Sequence, residues 1–187
     1  MNRKYDIIYA DPPWDIGGYF VGGEHTELPY GVMPDDDIIN TPVKNIASDN
    51  AILFLWCVDN KIPIISKLME AWGFKFKCIG FIWYKKAKTT RGNSATFPNF
   101  TRRSCEYCFI GTRGKFRTIS KRVDQLVSIT KKTHSAKPPI FRTLIDELCG
   151  NLSRIELFSR ERIEGWEAWG NEVPTHCQKI LVREVEG

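Results

Sequence analysis

The stretch Asp11-Pro12-Pro13-Trp14 constrains this chain more than any other. It follows Tyr5-Asp6-Ile7-Ile8-Tyr9-Ala10, an apolar run rich in β-branched and aromatic residues that reads as a buried strand. A carboxylate, two prolines and an indole therefore stand where a central strand ends, the edge at which open α/β sheets bind ligands. Asp11 supplies a carboxylate acceptor. Pro12 and Pro13 lack N–H groups and have a locked φ, so backbone running through them presents carbonyls with few competing donors. Trp14 offers a flat face on which a base can stack. A carboxylate and a carbonyl converging on one point suit an exocyclic amine, each accepting one N–H. That draws the nitrogen lone pair out of conjugation and readies it to attack an electrophilic methyl group. Positioning and electrostatics suffice, with no covalent enzyme intermediate. The bland reading of the tetrad is a rigid turn after a strand, since Asp and Pro are ordinary turn residues.

The rest of the chain weighs these readings. Its 187 residues suggest one domain, residues 1–187, long enough to bury about 70% of its unfolded surface without staples. A net charge of +5 fits a polyanion partner. The cysteines at 57, 78, 105, 108, 149 and 177 read as reduced thiols of an intracellular protein. Cys105 and Cys108 form the one C-x-x-C, and their odd separation in a strand-like run points them to opposite faces, so no metal is assigned. The chain opens on a charged strand without a signal-peptide pattern, and no apolar run approaches membrane-spanning length. A cytoplasmic location, bacterial or in a phage-infected host cell, is the expectation.

Along the chain, Gly17-Gly18 and Gly22-Gly23 bracket aromatics and read as a loop over the site. Pro34 followed by Asp35, Asp36 and Asp37 reads as a helix N-terminus, where acids suit the dipole. Ala51 to Cys57 is a second strand. A helix capped by Asp59 or Asn60 runs from there to about Trp72, with Pro63 in its first turn and Gly73 at its end. Lys75–Tyr84 and Cys105–Gly111 read as strands flanking a wide hairpin, with a basic loop over 85–103 between them. Glu106 stands inside an apolar strand, where a carboxylate is rarely buried without a partner. A second basic stretch, Thr112 to Lys121, joins the first with Phe97, Phe100 and Phe116 interleaved, a pattern suited to single strands or flipped bases. Leu126–Ile129 is a short strand. A helix follows Pro138-Pro139, with Ile140, Leu144, Ile145 and Leu148 as its core face. Ile155–Phe158 is the last strand. The alternation argues an α/β fold with a largely parallel sheet. The glycine-rich signatures of nicotinamide and nucleoside-triphosphate sites are absent.

In chain order the motifs are DPPW, ELPYG, IWYK, a strand holding Glu106, HSAKP, ELFSR and WGNE. Together they resemble the MT-A70 family of adenine-N6 methyltransferases, in the manner of its short phage and bacterial members, over about residues 4–173. The resemblance implies a Rossmann-like methyltransferase sheet in permuted order, with the catalytic DPPW strand before the strand that cradles S-adenosylmethionine. It implies that Asp11, Pro12, Pro13 and Trp14 form the catalytic motif. Asp11 also lies near the amino group of the cofactor's methionine portion, and Lys137 meets its carboxylate. Phe158, Arg160, Asn171 and Glu172 hold its adenosine end. Tyr30, Trp83, Lys85 and Glu106, with Trp14, face the acceptor, and Arg91, Arg102 and Arg103 of the basic loop join them on the nucleic acid. The chain departs from the eukaryotic pattern in Glu161-Arg162 and Glu172, and, with the sequence opening at the DPPW strand, the resemblance leads us to expect no counterpart of the upstream segment of longer members.

The leading expectation is methyl transfer from S-adenosylmethionine to adenine N6 in DNA, on a base taken out of the stack. The runner-up is the same reaction on RNA; no RNA-binding finger or RNP motif is seen here. The third is a catalytically silent nucleic-acid-binding partner subunit, against which the intact tetrad argues. A homodimer would hold a duplex better than one small domain.

Overall fold

Strands apolar on both faces can lie only in the middle of a covered sheet, and two such strands form the centre here. The computed structural model describes residues 3–15, 19–21, 24–26, 31–86, 104–130 and 137–173. In chain order its elements are β1 (Tyr5–Ala10), β2 (Tyr19–Val21), β3 (Glu24–Thr26), α1 (Asp35–Ile39), β4 (Ala47–Cys57), α2 (Ile65–Ala71), β5 (Lys75–Lys86), β6 (Cys105–Arg113), β7 (Leu126–Thr130), α3 (Ile140–Cys149), β8 (Arg154–Leu157) and β9 (Glu167–Trp169). One seven-stranded sheet runs in the order β7-β5-β6-β4-β1-β8-β9, and β2 pairs with β3 in a separate hairpin. β1 is parallel to β4 and β8, β8 to β9, and β5 to β7. β6 is antiparallel to both its neighbours. The expected α/β class with a largely parallel, Rossmann-like sheet is the architecture observed.

The sheet is covered on both faces. Ile8, Ala10, Leu53, Leu55, Ile155 and Leu157 face α1 and α2, meeting Ile38, Leu68 and Trp72. Ile7, Tyr9, Phe54, Trp56, Phe81 and Trp83 face α3, meeting Phe141, Ile145 and Cys149. The chain leaves β1 for β4 on one side, while β8 and β9 lie on the other. β1 and β8 therefore straddle the point where the strand order reverses, and Asp11 directly follows β1.

Several sequence expectations need correction. The glycine-bracketed loop carries the β2–β3 hairpin. The helix expected from Asp59 begins as a 3-10 segment, Asp59–Ile64, with Pro63 inside it, and α2 follows it. β4 starts at Ala47, before its apolar half, because it pairs with β1 from Tyr5 onward. β9 is a short edge strand that carried no clear strand signal. On α3, Phe141 is buried and Ile140 is 39% exposed, so the core face is turned by one residue. Among the described residues no helix is long and apolar enough to cross a membrane.

One polar contact ties α3 to the sheet. Glu156 of β8 is 8% exposed and accepts from Arg142 Nε at 2.6 Å and Nη2 at 3.0 Å. Removing one partner strands the other charge. Glu156→Ala is expected to destabilise the fold by about 3 kcal/mol in urea unfolding. Arg142→Met combined with Glu156→Leu is expected to recover most of that loss.

Candidate active site

Strand parity decides which side chains meet at the C-terminal edge of the sheet. Alternate residues of a strand share a face. Tyr9, Trp56, Trp83 and Cys108 all lie on the α3 face. Two residues past Tyr9 is Asp11, two past Trp83 is Lys85, and two before Cys108 is Glu106, so all three belong to that face. β6 runs against its neighbours, so its beginning lies where they end, and Glu106 stands opposite Trp83 in register. Lys137 reaches the same place from the helix layer, two residues ahead of Pro139, the N-cap of α3.

These groups converge on one ammonium. Lys137 Nζ donates to Asp11 Oδ1 at 2.7 Å and to Oδ2 at 2.7 Å, and lies 3.1 Å from Glu106 Oε2. Lys85 pairs with Glu106 from the far side. Two indoles form the floor: Lys137 Nζ is 5.2 Å from the centroid of the Trp56 ring, and Lys85 Nζ is 5.4 Å from that of Trp83. A cation over an indole is attracted to the ring's negative face. Two carboxylates and two ammoniums cancel in charge, which makes their partial burial tolerable.

The network sets protonation. Burial works to lower Lys137, but Asp11 and Glu106 overcome it and hold the ammonium protonated, well above the ordinary lysine range. Burial works to raise Glu106, but Lys137 and Lys85 overcome it and bring it down to about 2. Burial raises Asp11 against the pull of Lys137. Burial also pushes the Cys57 and Cys149 thiols up to about 12, so they are packed groups and not nucleophiles. Among the described residues no cluster of His, Cys, Asp and Glu is placed to hold a metal.

The tetrad itself is more occupied than its sequence suggests. Pro12 O accepts from the Trp14 N–H at 2.9 Å, and Pro13 O from the Met33 N–H at 2.9 Å. Each carbonyl keeps one lone pair. Trp14 is 4% exposed, and its indole N–H donates to Trp56 O at 3.1 Å. It does not offer an open stacking face here; it anchors the turn to β4. Trp83 is likewise buried and supports Lys85 from below.

Beyond β8 lies a second group. Phe158 has φ +60°, a conformation that a bulky residue adopts only under constraint. Its ring lies between Trp72, with centroids 6.4 Å apart, and Trp169, at 5.3 Å. A Cβ on Gly170 would run into the Ser159 backbone, and Ser159 N–H donates to Trp169 O at 2.9 Å. The glycine of WGNE thus allows the β8 and β9 ends to touch. Arg160 and Glu172 face each other at 3.5 Å and are largely exposed, with exposed Asn171 beside them.

The structure thus brings Asp11, Lys137, Glu106 and Lys85 into contact and sets Phe158, Arg160, Asn171 and Glu172 past the neighbouring strand. It does not bring the second basic stretch there: Arg113 stands opposite Ala51, at the other end of β4. Tyr30, Arg91, Arg102 and Arg103 lie outside the described residues, as do Phe97 and Phe100. Trp56 was missed as a site residue, and so was Tyr9, whose hydroxyl accepts from the Trp56 indole N–H at 2.8 Å. The available signal was an aromatic at the end of the second apolar strand, beside the end of the first.

The depressed Glu106 pKa carries a pH signature. The carboxylate is favoured in the folded state, so its contribution is present above the ordinary glutamate pKa and is lost as pH falls toward about 2. Glu106→Gln is expected to lower stability at pH 7 by roughly 2–3 kcal/mol. The gap to the wild type is expected to close as pH drops below about 4.5, as read by urea unfolding across that range.

The MT-A70 family model matches residues 5–172. The chain is similar to the type II methyltransferase M.MunI of Mycoplasma sp, at 29% identity over 96% of this chain and 82% of that protein. It is similar to the N(6)-adenosine-methyltransferase catalytic subunit METTL3 of Homo sapiens, at 28% identity over 91% of this chain and 28% of that protein. A putative N(6)-adenosine-methyltransferase MT-A70-like protein of Medicago truncatula matches at 28% identity over 91% of this chain and 26% of its own length. The chain therefore spans about a quarter of the plant and human relatives and most of the type II enzyme. With DPPW closing its first strand and the family match running almost from end to end, this chain belongs to the MT-A70 family.

Proposed function

We propose that residues 1–187 act as one domain that transfers the methyl group of S-adenosylmethionine to the N6 amine of adenine in DNA. The observation that carries this reading is the Asp11–Lys137 pair at the switch point between β1 and β8. The residues present fit the cofactor. Its methionine portion bears an ammonium and a carboxylate on one carbon, which match Asp11 and Lys137 respectively, so exchange of partners would leave no charge unpaired. Phe158, beyond β8, offers the adenosine end a ring held by two tryptophans, and Asn171 and Glu172 offer acceptors to vicinal hydroxyls. The cofactor supplies an electrophilic methyl group on a sulfonium.

What the chain supplies is orientation. Asp11 accepts from the target amine, stabilises the positive charge developing on nitrogen, and shares the amine with the free lone pair of Pro12 O. Lys85 and Glu106 mark the acceptor side, where β5 and β6 lead out of the sheet toward the basic loop. DNA is favoured over RNA because the similarity to the type II methyltransferase covers most of both chains, whereas the N(6)-adenosine enzymes share only about a quarter of their length.

Asp11→Ala is expected to lower kcat by about 100-fold or more and, because Asp11 also matches the cofactor's ammonium, to weaken cofactor binding in calorimetry. Lys137→Ala is expected to weaken cofactor binding about tenfold or more in calorimetry, since it removes a charge-assisted contact. Matched DNA and RNA oligomers with labelled cofactor rank the substrates: faster turnover of DNA is expected, and faster turnover of RNA reverses the assignment. A wild-type chain that binds cofactor yet methylates neither is a silent partner subunit.

A further inference from the structure

The basic stretch that the sheet carries away from the catalytic edge forms a surface of its own. Lys75 opens β5 opposite Thr112, and Arg113 closes β6 opposite Ala51. The turn after β6 is tied to the same end: Lys115 N–H donates to Asn50 Oδ1 at 2.6 Å, and Gly114, at φ +60°, leaves no room for a Cβ against the Asp49 carbonyl. Ile119 N–H then donates to Leu148 O at 2.9 Å, near the end of α3. The segment is therefore held along the far edge of the sheet.

Its charge is mainly of one sign, with exposed Asp49 as an acid beside the turn. Lys75, Lys77, Lys115 and Arg117 are all exposed, and none has an ion-pair partner among the described residues. Residues 113–125 carry Arg113, Lys115, Arg117, Lys121 and Arg122 against a single acid, Asp124. Phe76, 41% exposed, packs on Phe109 of the α1–α2 face, and half-buried Phe116, between Lys115 and Arg117 in sequence, packs on the α3 face. What the surface offers a ligand is its row of exposed cations, which suits a phosphate backbone.

The distance from the catalytic edge is set by β6. From Tyr107, opposite Cys57, to Arg113, opposite Ala51, the strand takes six steps, or about 20 Å at roughly 3.3 Å each. A nucleic-acid strand in a duplex rises about 3.4 Å per nucleotide, so this span corresponds to about six nucleotides.

We infer that Lys75, Lys77, Lys115 and Arg117 form a second nucleic-acid contact that grips the substrate backbone about six nucleotides from the target adenine. This rests on the reading of the substrate as a nucleic acid, and it adds that flanking length, not local sequence, supplies much of the affinity. Such a contact is equally strong in the ground and transition states, so it acts on KM and leaves kcat alone.

The experiment compares the wild type with a variant carrying Lys75→Gln, Lys77→Gln, Lys115→Gln and Arg117→Gln. The probes are two labelled DNA oligomers centred on one adenine, with about two or about ten nucleotides on each side. Binding is read by fluorescence anisotropy across salt concentrations, and methylation is read separately. The variant is expected to bind the long oligomer at least tenfold more weakly, with a log–log salt slope flatter by about three, and to bind the short one like the wild type. A charge-conserving set, with each Lys made Arg and Arg117 made Lys, is expected to keep long-oligomer affinity. Equal loss on both lengths, or no loss on the long one, would overturn the inference. Anisotropy needs no turnover, so failure to methylate would count against the proposed reaction and not against this surface.

Discussion

The site depends on where the Lys137 ammonium sits. Among the described residues it touches Asp11 just past the end of β1, Glu106 in the second position of β6 and the Trp56 indole next to the end of β4. Without it, Asp11 and Glu106 would face each other across a partly buried space as two like charges, and one would take up a proton. With it, both remain acceptors. The same ammonium makes Asp11 both available and occupied: the carboxylate is poised for a cationic partner, and it holds one until a better-matched pair of charges arrives. A zwitterion with both signs on one carbon is such a pair, whereas a simple anion or cation would leave half the network uncompensated.

That contact exists because one strand runs backwards. In an all-parallel sheet every strand would contribute its last residues to the edge. β6 contributes its first ones instead, so a carboxylate near the start of an apolar strand reaches the same edge as the carboxylate after the end of another. Parity then matters as much as direction. Asp11, Lys85 and Glu106 share the α3 face, and the residues leading into α3 deliver Lys137 onto that face. Shifting any of these strands by one residue would send its charged group to the α1–α2 side and dismantle the network.

Much of this was legible from the residues, and what was not has a physical reason. β1, β4, β6 and the end of β8 are apolar runs whose burial leaves a pattern, and Asp11 and Lys137 stand at motif positions beside breaks in that pattern. Glu106 was visible as an anomaly, a carboxylate in an apolar strand, but its partner was not, because Lys137 lies 31 positions away by numbering and the pairing depends on β6 running antiparallel. Trp14 and Trp83 look like stacking platforms in a linear reading. Only the packed structure shows their rings consumed by the core and their N–H groups bonded to backbone carbonyls. Whether an indole faces a ligand or a neighbouring strand is a tertiary fact, and local composition is silent on it. The second basic stretch lies away from the catalytic edge for a related reason: nearness to Glu106 in sequence becomes distance in space when the intervening residues are extended.

Phe158 shows how strain and fit are joined. Continued strand geometry would put it on the same side as Glu156, toward α3. The left-handed turn at φ +60° swings its ring to the other side, between Trp72 and Trp169. A non-glycine residue in that region costs of order 1–3 kcal/mol, and the aromatic contacts on both flanks are what offset it. The contact with Trp169 in turn needs β9 to approach closely, which Gly170 permits by having no Cβ to meet the Ser159 backbone. The strained phenylalanine, its two tryptophans and the glycine are therefore one device. It takes the chain sharply off the end of β8 and sets Arg160, Asn171 and Glu172 past that end.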